Sequence, residues 1–119
     1  MKEIMAIIRQ DKINKTKEAL IKANFPAMTV RKVLGRGAKP AEFNLIYDAS
    51  GKAAGFSEVT RLMPKRLITI IVKDEQVEEI THSIIKTSQT GNIGDGKIFV
   101  LPVQDAYRVR DGKKGDEVI

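Results

Sequence analysis

Residues 66–88 read RLITIIVKDEQVEEITHSIIKTS, and this stretch decides the fold. The run Arg66–Val72 is rich in β-branched residues, which is typical of a strand. From Glu75 to Ser88 the apolar residues recur with the 3.6-residue period of a helix, and Gly91 is placed to close that helix. We expect the buried face of the helix to consist of Val77, Ile80, Ile84 and Ile85.

The first half of the chain has the same strand–helix order. Lys2–Arg9 (KEIMAIIR) predicts a strand that is mostly apolar, as a central strand is. Asp11 is placed to cap the next helix, and Asn24 followed by Pro26 is placed to end it. We expect that helix to bury one stripe of side chains, namely Ile13, Leu20, Ile21 and Ala23.

Two further strands complete the predicted order of elements. They are Met28–Leu34, after the first helix, and Lys97–Val100, after the second. The resulting order βαββαβ is typical of the α+β ferredoxin-like fold. With 119 residues the chain predicts one domain, and its small size favours self-association.

Composition narrows the classes of function. The net charge of +6 favours an anionic partner, such as a nucleotide, a phosphate group or an acidic protein surface. The sequence has no cysteine and one histidine, which excludes disulfides, thiolate catalysis and all-histidine metal sites. We find neither a membrane-length apolar run nor a signal peptide, so we expect a cytoplasmic location.

The segment between the second and third predicted strands is long for a compact domain. It is punctuated by glycine and proline, and it mixes charged residues with apolar ones, among them Phe43, Tyr47 and Phe56. Such a mixture can order itself against a partner protein, which makes residues 38–62 a candidate docking loop. A floppy insertion or an extension of the hairpin would leave the same pattern.

Residues 90–97 read TGNIGDGK, a glycine-rich stretch that ends on a cation. Glycines let a backbone approach an anion closely and present N–H groups to it, so this segment is a candidate phosphate loop. Gly91–Lys97 fits the pattern G-x-x-x-x-G-K, but Ile98 stands where a P-loop needs Ser or Thr, and the element order is helix–loop–strand. A P-loop NTPase is therefore excluded, and a plain helix-to-strand turn remains the alternative.

Two arginines near the C-terminus form a second candidate anion site. Arg108 and Arg110 are predicted to alternate along a short strand and so to share one face. Two guanidinium groups at that spacing can bind phosphates, although a solvated edge strand would carry the same charges.

His82 lies opposite the apolar stripe of its helix, which favours a solvated side chain. No carboxylate pair and no nucleophile–base pair is placed for catalysis, so we do not expect an enzyme.

Four stretches of the sequence resemble the P-II family of nitrogen regulatory proteins. They are the opening MKEIMAIIR, then AMTVRKVLGRG, then MPKRLITIIVKDEQVEEI, and finally TGNIGDGKIFVLPV with YRVR beyond it. Together they cover nearly everything outside residues 38–62. The resemblance implies a ferredoxin-like homotrimer whose subunits share clefts for ATP or ADP. It also implies an exposed loop, the T-loop, which docks on target proteins and changes conformation when Mg-ATP and 2-oxoglutarate bind.

The resemblance also implies, position by position, which residues form the nucleotide cleft. The phosphates would be lined by Gly94, Asp95, Gly96 and Lys97, joined from the neighbouring side by Arg108 and Arg110. The nucleotide, mostly around its adenine, would be bordered by Ile7, Thr29, Gly35, Thr69 and Ile71. Lys65 resembles the lysine at the end of the T-loop that takes part in 2-oxoglutarate binding.

The T-loop of this sequence departs from the family pattern. Members carry a Gln after the Gly-x-Gly that helps hold magnesium and 2-oxoglutarate, whereas Gly37 is followed here by AKPA. We therefore assign no protein side chain to a metal, and Lys39 is a candidate contact for a phosphate or for the effector. Tyr47 lacks the surroundings of the family's modified tyrosine, so we expect no uridylylation.

A lengthened T-loop is similar to that of the subgroup associated with nitrogen fixation gene clusters. In that subgroup a P-II protein acts with a sister P-II protein to restrain nitrogenase, and we expect the same kind of target here. A homotrimer and a mixed assembly with a sister P-II protein are both open. An ordinary P-II regulator of an ammonium transporter or of glutamine synthetase is the alternative.

The basic charge is also compatible with an RNA-binding ferredoxin-like module. The central strands lack the aromatic pair that stacks on bases in such modules, so we expect no nucleic-acid partner.

Overall fold

The apolar runs of the sequence become the central strands of an antiparallel sheet. The computed structural model describes residues 1–38, 42–59 and 62–119. The strands are β1 (Lys2–Arg9), β2 (Thr29–Gly35), β3 (Glu42–Tyr47), β4 (Ala53–Val59), β5 (Met63–Val72) and β6 (Gly96–Pro102). Four of them form a sheet in the order β2-β5-β1-β6, in which β1 pairs antiparallel with β5 and with β6. With the two helices, this sheet confirms the predicted α+β, ferredoxin-like architecture.

Two helices cover one face of this sheet. α1 (Ile13–Lys22) and α2 (Val77–Ser88) each follow a short 3-10 turn, at Gln10–Lys12 and Asp74–Gln76. Among the described residues, neither helix has the combination of length and hydropathy needed to cross a bilayer. The buried apolar core between helices and sheet consists of Ile4, Ala6, Ile8, Leu20, Ile68, Ile70, Val72, Ile80 and Ile84.

The other face of the sheet carries the residues that alternate with this core. In the centre, Met5 of β1 is paired with Thr69 of β5 and Phe99 of β6, and the side chain of Phe99 is 45% exposed. One step along, Ile7 is paired with Leu67 and with Lys97. This open face is therefore apolar in its middle rows and turns cationic toward the end of β1.

The buried stripes of both helices are narrower than the sequence predicts. Ile21 is 56% exposed and Ile85 is 47% exposed, so the predicted burial of both was wrong. Each follows a buried residue, Leu20 or Ile84, and one helical step of about 100° turns it off the face that meets the sheet. Ala23 is only half buried, at the C-terminal cap of α1.

Two predicted helix ends also differ from the structure. The chain begins to turn at Gln10, so Asp11 lies inside the 3-10 turn and Lys12, without a side-chain cap, precedes α1. Gly91 does not close α2, because the cap residue is Gln89 in an extended conformation. Asn24 does have the left-handed conformation expected where α1 ends, with φ 66°.

A cluster of hydroxyl groups joins the two helices. Thr16 of α1 is fully buried, and its Oγ1 lies 3.1 Å from Oγ1 of Thr87 and 3.0 Å from Oγ of Ser88. Thr16 also donates to the carbonyl of Lys12, at 2.9 Å. Since Ser88 is the last residue of α2, this cluster fixes the point where the chain leaves the helix for the glycine-rich segment.

The chain divides into two compact units, Met1–Val33 with Pro64–Ile119, and Leu34–Met63. The second unit contains a two-stranded antiparallel sheet of β3 and β4, where the sequence predicts only a long loop between the flanking strands. At its tip, Asp48 Oδ1 accepts hydrogen bonds from the backbone N–H groups of Ser50 and Lys52, at 2.9 and 3.0 Å. The described backbone of this segment therefore contains a hairpin.

The C-terminal segment forms a turn and not the predicted strand. Tyr107 and Lys114 make an isolated antiparallel bridge, and the chain between them reverses with Gly112 N–H donating to the carbonyl of Arg108, at 2.8 Å. Arg108 and Arg110 therefore do not alternate along an extended strand. The prediction that they share one strand face was wrong, because the backbone forms a hydrogen-bonded turn from Arg108 to Gly112.

Candidate functional site

The glycine-rich segment between α2 and β6 is organised by one carboxylate. Asp95 accepts hydrogen bonds from the backbone N–H groups of Thr90 and Gly91, at 2.7 and 2.8 Å, and from the Thr90 hydroxyl. Asn92 N–H in turn donates to Thr90 Oγ1, at 3.3 Å. Two N–H groups that the sequence offers as a cradle for an anion are thus already occupied by the segment's own anion. We call residues 90–96 the glycine loop.

Asp95 is held in its ionised form by these contacts. The hydroxyl of Thr90 contributes most, followed by the Thr90 backbone N–H, and the Arg9 guanidinium and the Gly91 N–H act in the same direction. Together they hold the pKa of the Asp95 carboxyl far below its ordinary value, because each donor stabilises the charged form. Asp95 therefore orders the loop, and it is not placed to act as a proton donor.

Two cations from neighbouring strands hold the outside of the glycine loop. Arg9, at the end of β1, donates from Nε to Asp95 Oδ1 at 3.0 Å and from Nη2 to the carbonyl of Ile93 at 2.8 Å. Lys65, its cross-strand partner on β5, donates from Nζ to the carbonyl of Gly94 at 2.6 Å. Three hydrogen bonds from these two side chains therefore attach the loop to β1 and β5, the two central strands of the sheet.

Arg9 was missed by the sequence reasoning. It stands at the end of a predicted strand, where a charged residue is ordinary, and nothing in its own neighbourhood in sequence marks it. The signal that would have found it is the strand register, because Arg9 is paired with Lys65, a residue that the family resemblance does single out. That register requires the complete antiparallel pairing and is not readable from either strand alone.

Two glycines of the loop are required by the backbone. Gly96 has φ 112°, and a Cβ added there would lie 1.8 Å from the carbonyl oxygen of Ile7. Gly94 has φ 98°, and its added Cβ would approach Nη2 of Arg9 to 3.3 Å. The glycines thus let the loop lie directly against β1 and its terminal arginine.

The structure brings part of the predicted nucleotide cleft together. Lys97 follows the glycine loop and is paired with Ile7 across β1 and β6, so both lie on the open face of the sheet. Thr69 and Ile71 lie on the same face, farther along β5. Thr29 and Gly35 are the first and last residues of β2. An apolar strip that leads to a cationic, glycine-lined end is the arrangement expected of a site for a base and its phosphates.

Among the described residues, the two C-terminal arginines make no hydrogen bond or ion pair to the glycine loop. Arg108 forms an ion pair with Asp111, with Nη2 to Oδ2 at 2.9 Å, and its Nε donates to both carboxylate oxygens. Arg110 is exposed in the adjoining turn. The hydrogen bonds and ion pairs of the described residues join neither arginine to residues 90–97.

The candidate docking residues have defined backbone positions. Phe43 and Tyr47 lie on β3, and Phe56 lies on β4, where it is paired with Leu45. Lys39, the second candidate for effector binding, falls outside the described residues.

A groove on the helix side of the sheet borders the same loop. It has a volume of about 400 Å³ and is lined by core-side apolar residues at the end of α2, by Ser88 and Gln89, and by Asp95, Gly96 and Lys97 of the predicted phosphate segment. Since Ile7, Thr69 and Ile71 point to the opposite face, this groove is distinct from the predicted adenine slot.

Comparison with known proteins gives a consistent picture. The family model described as "Nitrogen regulatory protein P-II" matches residues 1–113. The chain is 45% identical to a "Nitrogen fixation nifHD region GlnB-like protein 2" of Methanobacterium ivanovii, over 100% of this chain and 99% of the relative. It is 40% identical to a "Nitrogen regulatory protein P-II 2" of Methanothermobacter thermautotrophicus, over 100% and 97%. It is 37% identical to a "Nitrogen regulatory protein GlnK2" of Haloferax mediterranei, over 100% and 91%.

Proposed function

Because the chain belongs to the P-II family of nitrogen regulatory proteins, we propose that it is a non-enzymatic signalling protein that binds ATP or ADP at the glycine loop. The observation that carries the proposal is the position of Lys97, beside Ile7 on the open face, directly after a loop that Arg9 and Lys65 hold in place and whose Gly96 lies against β1. A polyphosphate is the anion that suits several fixed cations at a backbone surface. The apolar strip beginning at Ile7 would take the base.

The cleft is completed by a second copy of the chain. P-II proteins form trimers, and the open sheet face with its half-exposed Phe99 supports the same assembly here. Arg108 and Arg110 would then reach the phosphates from the neighbouring subunit. A mixed assembly with a sister P-II protein would use the same sheet face.

The output of this signal is proposed to be the unit of residues 34–63. Its hairpin would act as the T-loop and dock on a target, with Phe43, Tyr47 and Phe56 as contact residues. The names of relatives, which refer to the nifHD region of nitrogen fixation, favour nitrogenase as that target. An ammonium transporter or glutamine synthetase is the alternative target.

2-Oxoglutarate is proposed as the effector that reports nitrogen status. Lys65 supports this, since its ammonium group lies at the edge of the glycine loop, where a dicarboxylate could meet both a cation and a bound nucleotide. Magnesium would be carried by the nucleotide phosphates. We assign it no protein side chain, because Asp95, the carboxylate nearest to the loop backbone, is fully engaged by internal donors.

Calorimetric titration with ADP tests the nucleotide site. Lys97→Gln removes a cation that lies beside Ile7 without removing a described loop contact, and it is expected to weaken ADP binding about tenfold or more. Lys22→Gln, an exposed change at the end of α1, is the matched control and should bind like the wild type. Equal affinity of both variants and wild type would refute the assignment.

Capture of the target from a cell extract tests the docking unit. Removal of residues 42–58 should leave ADP affinity unchanged and abolish capture, whereas the full chain should capture its target in a manner that depends on 2-oxoglutarate. A truncated protein that still captures the same target would show that the output lies elsewhere.

A further inference from the structure

Arg9 bonds to both ends of the turn formed by residues 93–95 of the glycine loop. Its Nε is 3.0 Å from Asp95 Oδ1, and its Nη2 is 2.8 Å from the carbonyl of Ile93. The side chains of Arg9 and Asp95 are 30% and 22% exposed, so the pair is partly shielded from solvent. A guanidinium group has a planar, fixed set of donors, and two bonds from it hold two acceptors at one separation.

Asp95 passes this constraint on to the rest of the loop. The same carboxylate accepts from the N–H groups of Thr90 and Gly91, which lie just beyond the end of α2. A continuous set of bonds therefore runs from β1, through Arg9 and Asp95, to the residues that follow the helix. Removing Arg9 would leave Asp95 with its internal donors but without an anchor on the sheet.

The donors of Arg9 that face the loop are directed at protein acceptors. Nε and Nη2 are both engaged by the loop, and Nη2 is also the atom nearest to the added Cβ of Gly94. Lys97, by contrast, is exposed on β6 beside Ile7, and the side-chain hydrogen bonds and ion pairs of the described residues do not include it. Lys97 is therefore placed to contact an incoming phosphate, whereas Arg9 is bonded to the loop itself.

We propose that Arg9 is a positioning residue: it sets the phosphate-accepting shape of the glycine loop through Asp95 and the Ile93 carbonyl, without contacting the nucleotide itself. The inference rests on the proposed nucleotide-binding function. It assigns Arg9 to the support of the site and leaves the direct contact to Lys97. Phosphate affinity then depends on the Arg9–Asp95 pair as a unit.

A double-mutant cycle separates support from contact. ADP affinity is measured by calorimetry for wild type, Arg9→Gln, Asp95→Asn and the double variant. We expect Arg9→Gln to weaken binding about tenfold in the wild-type background and by much less in the Asp95→Asn background, because the partner through which it acts is gone. An equal loss in both backgrounds would overturn the proposal, since direct contact or simple charge attraction does not need Asp95.

Arg66→Gln is the matched control for charge. Arg66 precedes Leu67 on β5 and is paired with Ile8. The substitution Arg66→Gln therefore removes one positive charge, as Arg9→Gln does, but on the neighbouring strand and on the other face of the sheet. Its affinity for ADP is expected to stay within about twofold of wild type. An Arg66→Gln loss as large as that of Arg9→Gln would overturn the specific role of Arg9.

Amide hydrogen exchange gives a second readout that needs no nucleotide. In Arg9→Gln the amides of Thr90 and Gly91 should exchange faster, while those of the β1–β5 pairing should keep their wild-type rates. If wild type bound no ADP, the proposed function would fail while this readout still tested the positioning role. Unchanged exchange at both amides in Arg9→Gln would overturn the inference whatever the result with ADP.

Discussion

Gly96 shows how a single residue fixes the approach of the glycine loop to the sheet. Its φ of 112° is unfavourable for any side chain, and an added Cβ would lie 1.8 Å from the Ile7 carbonyl oxygen. We predict that Gly96→Ala destabilises the protein by more than the ~1–3 kcal/mol that the backbone conformation alone would cost. Urea unfolding at fixed protein concentration measures this.

Gly91→Ala is the matched control for that prediction. Gly91 has φ 84°, but an added Cβ there meets nothing within 4 Å, so this variant bears only the conformational cost. If the two alanine variants unfolded at the same urea concentration, the close approach to Ile7 would not constrain the loop.

Asp95 makes loop stability depend on pH in acid. Its folded-state pKa lies below its ordinary value of 3.8, so the unfolded chain binds the proton more readily. Its contribution is therefore fully present well above 3.8 and is lost progressively as the pH falls below that value. We predict that the stability difference between wild type and Asp95→Asn is constant above about pH 5 and shrinks below about pH 4.

Unfolding curves recorded at a series of pH values measure that difference. Asp11→Asn, a change in the exposed turn before α1, is the control for a carboxylate outside the loop. A difference between wild type and Asp95→Asn that grew on acidification would contradict the assigned role of the carboxylate.

At the scale of the elements, the helix pair is held by the buried hydroxyl cluster as well as by the apolar core. Thr16→Val removes the hydroxyl that lies 3.0 Å from Ser88 Oγ and leaves Ser88, itself 4% exposed, without that partner. We predict a loss of about 1–3 kcal/mol in the free energy of unfolding. Since the two residues share one interaction, Thr16→Val with Ser88→Ala should cost less than the sum of the single changes.

Thermal or urea unfolding of the three variants gives the coupling directly. Thr81→Val is a suitable control, because the Thr81 hydroxyl bonds only locally, to the carbonyl of Glu78 at 3.0 Å. Strict additivity of Thr16→Val and Ser88→Ala would mean that the cluster does not act as a unit.

The sequence predicts regular elements better than it predicts contacts. The strand Lys2–Arg9 and the end of α2 at Ser88 are where apolar periodicity places them, because burial on one face decides both. The burial of Ile21 and Ile85 was mispredicted, since an apolar pattern does not report how wide a face the sheet offers. In β3 and β4 apolar and polar residues do not alternate strongly. The turn between these strands is held by hydrogen bonds to Asp48, which composition alone does not reveal.

The candidate site divides in the same way. The glycines and Lys97 stand together in sequence, so their pattern makes residues 90–97 a candidate phosphate loop, with a plain helix-to-strand turn as the alternative. Arg9 reaches that loop only through the long-range pairing of β1, and Asp95 proves to be its internal organiser only when its donors are seen. Residues that act through distant partners are those that local patterns miss.

At the scale of the whole molecule, the open face of the sheet and the C-terminal arginines support the same proposal. The apolar strip that ends in cations is proposed as one half of a site, and Arg108 and Arg110 are candidates for the other half. The net charge of +6 favours the anion that such a site would hold. We therefore expect the protein to bind adenine nucleotides between the subunits of a trimer.

Native mass spectrometry with ADP in excess tests this expectation most directly, because it reports assembly and occupancy together. We predict a trimer that carries ADP in the wild type; Lys97→Gln should also form a trimer, but one that needs about ten times more ADP to reach the same occupancy. A monomer, or a trimer that retains no ADP at millimolar nucleotide, would contradict nucleotide binding between subunits.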